Sequence, residues 1–180
     1  MSAAIEEFAL NGYHRTKISD IVRRADVSQP AFYLYFSGKL ALYRHLVKRV
    51  RKELLHIIEH ARVPPDLPPD MAARGVREAI KAFIEYFADN PKLAVIGYFE
   101  AEGSESLREE VTIFVARNVM AEQKSGYLRR DFDAMLFSEC YNGGIDRLIR
   151  RYLLTGEMTV DQVADAVGDL YVRGMQRRDR

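Results

Sequence analysis

Apolar positions recur at three- and four-residue steps along almost the whole chain. Period-two alternation of useful length is absent, so the pattern predicts an all-α protein. Residues 2–11 predict a first helix with Ile5, Phe8 and Ala9 inward and Gly12 as its stop. Thr16 is placed to cap a second helix whose inward set is Ile18, Ile21, Val22 and Ala25. Asp26-Val27-Ser28 then interrupts the pattern. Ser28 is a good N-cap, and Pro30 falls in the first turn, where its missing N–H costs nothing, so a third helix starts about Gln29. Phe32 and Phe36, four apart, are set to bury against the second helix. Gln29, Ala31, Tyr33, Leu34 and Tyr35 are left to the rim of that packing and an outward surface. Ser37-Gly38 ends the helix after about two turns. Two short helices around a tight turn are the shape that lays one helix into a DNA groove.

From Lys39 the apolar set Leu42, Leu46, Val50, Leu54, Ile58 and Ala61 keeps helical spacing to about Arg62, predicting a long fourth helix. Val63-Pro64-Pro65-Asp66-Leu67-Pro68-Pro69-Asp70 is the sharpest break in the chain. Helical patterns follow over Met71–Ala88, Pro91 to about Glu100, about Ser106 to Lys124, Asp131–Leu154 and Thr159–Met175. Gly156 is a stop, and Thr159 with Gln162 forms a capping box. This gives a three-helix head and a body of about six helices. The last two helices each carry two apolar stripes. Phe137, Tyr141, Ile145, Leu148 and Tyr152 lie beside Phe132, Leu136, Cys140 and Gly143. Val160, Val163, Val167 and Leu170 lie beside Ala164, Gly168, Tyr171 and Met175. Two apolar faces ask for two burial partners, or else both are spent inside one monomer.

Composition sharpens this outline. At 180 residues and 48% hydrophobic content the chain can bury a sizeable core. It has no apolar run near bilayer length and no signal-peptide pattern, so a soluble, cytoplasmic protein without membrane contact is expected. The single cysteine, Cys140, permits no internal disulfide, which agrees with a reducing compartment, and it reads as a buried thiol. The net charge of +1 hides an asymmetry: residues 1–62 carry +5 and residues 63–180 carry −4. A basic amino-terminal third suits a phosphate-binding head. Lys48, Arg49, Arg51 and Lys52 read instead as a solvated helix face.

The residues Ala4, Phe8, Gly12-Tyr13, Thr16, Ile18, Ile21, Ala25, Val27-Ser28, Phe32-Tyr33, Tyr35-Phe36, Lys39 and Leu42, in register over about forty positions, resemble the DNA-binding domain of the TetR (tetracycline-repressor) family. Two positions depart from it: Asp26 stands where the family usually has Gly, and Lys17 where it usually has Ser or Thr. Asp tolerates a left-handed backbone, so the turn is expected to survive. The family's first helix normally begins a turn or more before Ala4, often after a basic arm, so either the arm is absent or the true start lies upstream, and no minor-groove contact is assumed. The resemblance implies a DNA-binding domain over 1–45 and a helical ligand-binding and dimerisation domain over 46–180. It further implies a homodimer on a palindromic double-stranded DNA operator, released by a small-molecule effector.

On this reading Lys39, at the amino end of the fourth helix, grips a phosphate, and Thr16 and Lys17 form a second phosphate site. Tyr33 and Tyr35 add hydroxyl contacts, Gln29 pairs with adenine and Ala31 touches a thymine methyl, with Ser28 and Pro30 setting the helix start. The family encloses a pocket among its middle helices. Phe83, Tyr86, Phe87, Tyr98, Phe114, Asn118, Phe137, Tyr141 and Asn142 are its candidates here, with Arg147 as a further polar group, and the aromatic walls suggest an apolar or aromatic effector. The last two helices pair with their two-fold mates through Phe137, Tyr141, Ile145, Leu148, Tyr152, Val163, Val167, Leu170 and Tyr171.

The chain shows no nucleophile elbow, phosphate loop, metal-protease signature or triad, and no cofactor is expected. His56 and His60 stand four apart beside Glu53 and Glu59, but no third strong metal ligand is fixed by sequence, so a solvated helix face is the expectation. Two other readings stay open: a dimeric ligand-binding module that has lost DNA binding, and an all-α enzyme.

Overall fold

A computed structural model describes residues 1–64 and 67–175 of the chain. Pro65 and Asp66, within the predicted break, lie outside the described residues, as do residues 176–180 and the side chains of Pro69, Asp70, Val172 and Met175. Among the described residues there are nine α-helices: α1 Ser2–Arg15, α2 Ile18–Arg24, α3 Gln29–Tyr35, α4 Lys39–His60, α5 Pro69–Asp89, α6 Pro91–Ala94, α7 Ser104–Ser125, α8 Ala134–Leu148 and α9 Val160–Met175. A π-helical turn, Val95–Glu100, continues α6, and a second, Ile149–Leu153, continues α8. The protein is all-α, as the periodicity predicts.

Two compact units emerge: Met1–Glu53 with Asn90–Leu107, and Leu54–Asp89 with Arg108–Arg180. The first unit buries Ala4, Phe8, Ile21, Val22, Phe32 and Leu42, with Leu46 and Val50 from the following turns of α4. Gly12 ends the regular part of α1, as predicted, since its backbone leaves the helix at φ 69°, which an L side chain would strain. The π-helical turn brings Gly97 onto α4: a Cβ there would lie 2.5 Å from Cγ2 of Val50, so the close approach requires glycine.

The second unit packs α9 along α5. Arg77 pairs with Asp169, and Lys81 Nζ lies 2.7 Å from Asp161, so two ion pairs flank that seam. The predicted capping box forms at the start of α9: Thr159 N–H donates to Gln162 Oε1 at 2.9 Å and Gln162 N–H to Thr159 Oγ1 at 3.3 Å. The start of α8 differs from expectation. It begins at Ala134 rather than Asp131, because Asp133 caps it by accepting from Leu136 N–H at 2.7 Å.

Candidate DNA-binding head and ligand cavity

The helix-turn-helix forms as its residues dictate. Ser28 Oγ accepts from Ala31 N–H at 3.3 Å, and Pro30 occupies the first turn of α3. Asp26 takes φ 52°, the left-handed conformation the turn needs, so the departure from glycine is absorbed. Phe32 is buried and Phe36 half-buried, with ring centroids 5.8 Å apart. On the other side of α3, Tyr33, Leu34 and Tyr35 are 50%, 83% and 80% exposed, next to exposed Gln29 and Pro30. So much apolar and aromatic surface on one short helix marks a face built to be covered.

Two residues behave differently from the expectation. Thr16 does not cap α2; that position belongs to exposed Lys17. The Thr16 hydroxyl is buried and shared between the carbonyls of Gly12 at 2.7 Å and Glu7 at 3.0 Å, where the helix is broken at Gly12. Its side chain is therefore turned away from the surface. Lys39 Nζ donates to the carbonyls of Tyr13 at 2.7 Å, Thr16 at 2.9 Å and His14 at 3.1 Å, and sits 4.5 Å from the centre of the Tyr13 ring. An ammonium has three protons, and all three are engaged. A phosphate contact by Lys39 requires exchange of one of these bonds. Inside the same frame, Glu7 is 6% exposed and accepts from Arg24 Nε at 2.6 Å and Asn11 Nδ2 at 3.0 Å, tying α2 to α1.

An apolar cavity of about 70 Å³ lies within the second unit. Of the predicted ligand residues Phe83, Asn118, Tyr141 and Asn142 line it. Tyr86 and Phe87 are core residues off the lining, Tyr98 belongs to the first unit and is fully buried, and Phe114 and Phe137 also stand off the lining. Arg147 is exposed and off the lining too. The aromatic count was a poor guide because most aromatics fill the core. Sequence reasoning missed the apolar wall from Ile58, Val76, Ile80, Val111 and Val115, and it missed Glu122. A signal for Glu122 existed: it lies eleven residues after Val111 and four after Asn118, in register on the apolar stripe of α7.

Glu122 is 6% exposed, and Tyr171 Oη donates to its Oε2 at 3.0 Å. Burial pushes its carboxyl up from 4.5 to about 7, against the Tyr171 hydrogen bond that pulls it down. The Tyr141 and Tyr171 hydroxyls are pushed far up, first by burial and then by the Glu122 charge. Asn142 Nδ2 donates to Thr112 Oγ1 at 2.9 Å and Asn118 Nδ2 to the Ile58 carbonyl at 3.3 Å, so both amides are oriented by the frame.

The predicted dimer residues also sort differently. Ile145, Val163, Val167 and Tyr171 are buried within their own unit, whereas Leu170 is 77% exposed. Phe137, Tyr141, Leu148 and Tyr152 are half-buried. On α8 the outward stripe is the other one: Leu136 is 66% exposed, and Cys140, Gly143 and Gly144 are exposed beside it, whereas on α9 Ala164, Gly168 and Tyr171 of the second stripe are buried as well. Cys140 is therefore no buried thiol. Both stripes were visible in the sequence, but whether one or both face inward depends on where α8 and α9 rest on their neighbours. His60 Nδ1 lies 2.8 Å from the His56 carbonyl, a bond within one helix. Among the described residues no helix is long and apolar enough to cross a membrane.

A helix-turn-helix with an exposed recognition helix, on a chain whose other helices hold an apolar cavity, defines the class: a DNA-binding transcriptional regulator. Residues 1–46 match the bacterial regulatory proteins of the tetR family. The chain is 29% identical to the HTH-type transcriptional regulator YdgC of Bacillus subtilis over 175 residues, covering 97% of this chain and 90% of that one. Its fold matches a bacterial regulatory protein of the tetR family from Rhodococcus RHA1 with TM-score 0.77 at 22% identity, over 99% and 95% of the two chains. It also matches the transcriptional regulator FadR from Bacillus subtilis, solved in complex with stearoyl-CoA, with TM-score 0.71 at 19% identity over 96% of each chain. Residues 1–46 thus carry the tetR-family DNA-binding signature, and the chain over nearly its whole length is similar to helix-turn-helix transcriptional regulators.

Proposed function

We propose that the chain is a ligand-responsive repressor that binds a palindromic operator as a homodimer and is released by a small effector with a largely apolar body. The observation that carries the DNA-binding half is the exposed face of α3, held by the Ser28 cap, the Asp26 turn and the Lys39 and Glu7 anchors. Gln29 and Ala31 read bases on this proposal, and Tyr33, Tyr35 and Lys17 contact phosphates. Residues 1–45 act as the DNA-binding domain and 46–180 as the ligand-binding and dimerisation domain. The two-fold mate packs on the outward side of α8 and α9, around Leu136, Gly143 and Leu170. That places two recognition helices in successive major grooves roughly 34–36 Å apart.

Release is supported by α4, one continuous helix that begins with Lys39 and lends Ile58 to the cavity wall. A ligand that pushes on Ile58 acts on the element that starts at Lys39, and operator affinity falls by the coupling free energy. The test is fluorescence anisotropy of the DNA upstream of the chain's own gene. Binding that weakens with salt, with a slope about one unit smaller in magnitude per dimer half in Lys17→Ala, is expected. Absence of binding at micromolar protein and low salt would return the chain to a ligand-binding module without DNA.

A further inference from the structure

The cavity of the second unit is chemically one-sided. Eight of its thirteen lining residues are apolar, and no Lys, Arg or His is among them. Among the described residues its one carboxyl group is Glu122. Asn118 and Asn142 each spend one amide N–H on a protein oxygen, which leaves each a carbonyl acceptor and a second N–H. Tyr171 spends its hydroxyl proton on Glu122. Phe83 and Tyr141 add aromatic rings, whose faces are negative in their quadrupole. The lining thus offers one carboxyl group, neutral amides and hydroxyls and aromatic rings, with no cationic side chain among its described residues.

We propose that this cavity takes a ligand with a cationic nitrogen head and an apolar body, Glu122 serving as the counter-ion and Phe83 and Tyr141 packing around the head. The inference rests on the ligand-responsive reading above and names the chemical class of its effector. A buried carboxylate held by one hydroxyl is costly to charge, and a cation in the cavity removes that cost. Cation–π attraction to the rings adds to it. An anionic head meets Glu122 with no lining cation to offset it.

Protonation makes the proposal testable. The titratable and charged groups around Glu122 are Tyr171 on α9, Tyr141 on α8, Tyr127 after α7, and Arg77 on α5, the last paired with Asp169. Arg62 and Lys124 line an adjoining groove that also reaches Glu122, and neither pairs with it among the described ion pairs. The three tyrosines all titrate above their ordinary value, so Glu122 is the group that changes charge near neutrality.

The probes are benzyltrimethylammonium, its uncharged isostere neopentylbenzene, phenylacetate and stearoyl-CoA, measured by calorimetry on the full chain. Wild type is expected to bind the ammonium at least tenfold more tightly than the isostere at pH 8. Affinity for the ammonium should fall by up to about tenfold per pH unit below 7, with release of one proton on binding, while the isostere shows neither effect. Glu122→Gln, which keeps an acceptor for Tyr171, should erase the preference and the proton release. The proton count needs no variant, so it decides the matter even if the variant folds poorly. Equal binding of ammonium and isostere, tighter binding of phenylacetate or stearoyl-CoA, or binding of none of the four overturns the proposal. Anisotropy with operator DNA at saturating ammonium separates the two layers: pH-linked binding that leaves DNA affinity unchanged keeps the cation site and sinks the effector reading.

Discussion

The head and the body each hold a charge away from bulk water, and they treat it in opposite ways. Lys39 in the head has every proton engaged by a carbonyl and an aromatic ring beneath it. Glu122 in the body has one hydroxyl for two oxygens and a cavity in front of it. The first arrangement removes unpaired carbonyls at a broken helix end and stiffens a recognition surface. The second leaves a polar group under-satisfied, which on the proposed function is free energy held in reserve for a ligand.

The largest effect expected from breaking this contrast is at Lys39. Lys39→Ala leaves three carbonyls without their donor, so the free protein should lose roughly 2–4 kcal/mol in denaturant unfolding without DNA present. Unchanged stability would mean that the ammonium serves only a phosphate. Glu122→Gln should act in the opposite direction. The carboxyl titrates at about 7 in the folded chain against 4.5 ordinarily, so between those pH values the unfolded chain has lost a proton that the folded chain keeps. Stability from this group is therefore fully present below about pH 4.5 and falls as pH rises to 7. The variant should be more stable than wild type at pH 8 by up to about 3 kcal/mol and equal to it at pH 4. A difference that does not vary with pH refutes the buried, weakly partnered carboxyl.

Gly97→Ala sets a Cβ 2.5 Å from Val50 Cγ2 and should cost about 1–3 kcal/mol, measured by thermal unfolding. Adding Val50→Ala should return part of that loss, a coupling that a backbone-only effect would not show. The smallest change is Thr159→Ala, which removes one arm of the capping box on α9 and should cost about 1 kcal/mol. It should leave DNA binding by the head unaltered.

Much of the head was legible because its signals are local. Ser28, Pro30 and the three- and four-residue apolar steps act through neighbours in sequence, and the cap, the turn and the helix starts fall where they indicate. Thr16 and Lys39 were read as surface groups because their carbonyl partners exist only once Gly12 breaks α1, and Lys39 reaches back 23 residues or more to find them. In the body the helices and both stripes of α8 and α9 were visible, but not that α8 turns one inward and α9 both, since periodicity fixes the angle between faces and not their direction. The aromatic residues were overcounted as pocket, and the one acid on the α7 stripe was passed over.

The sequence by itself determined the all-α class, the helix-turn-helix and its recognition face, the break near residue 63 and the capping of α9, because propensity, caps and periodicity operate within a few residues. Only the tertiary structure decided that Lys39 is anchored, that Gly97 must lack a side chain, and that Glu122 faces a cavity with no lining cation. Those properties are set by atoms far apart along the chain, and no local pattern encodes which of them meet.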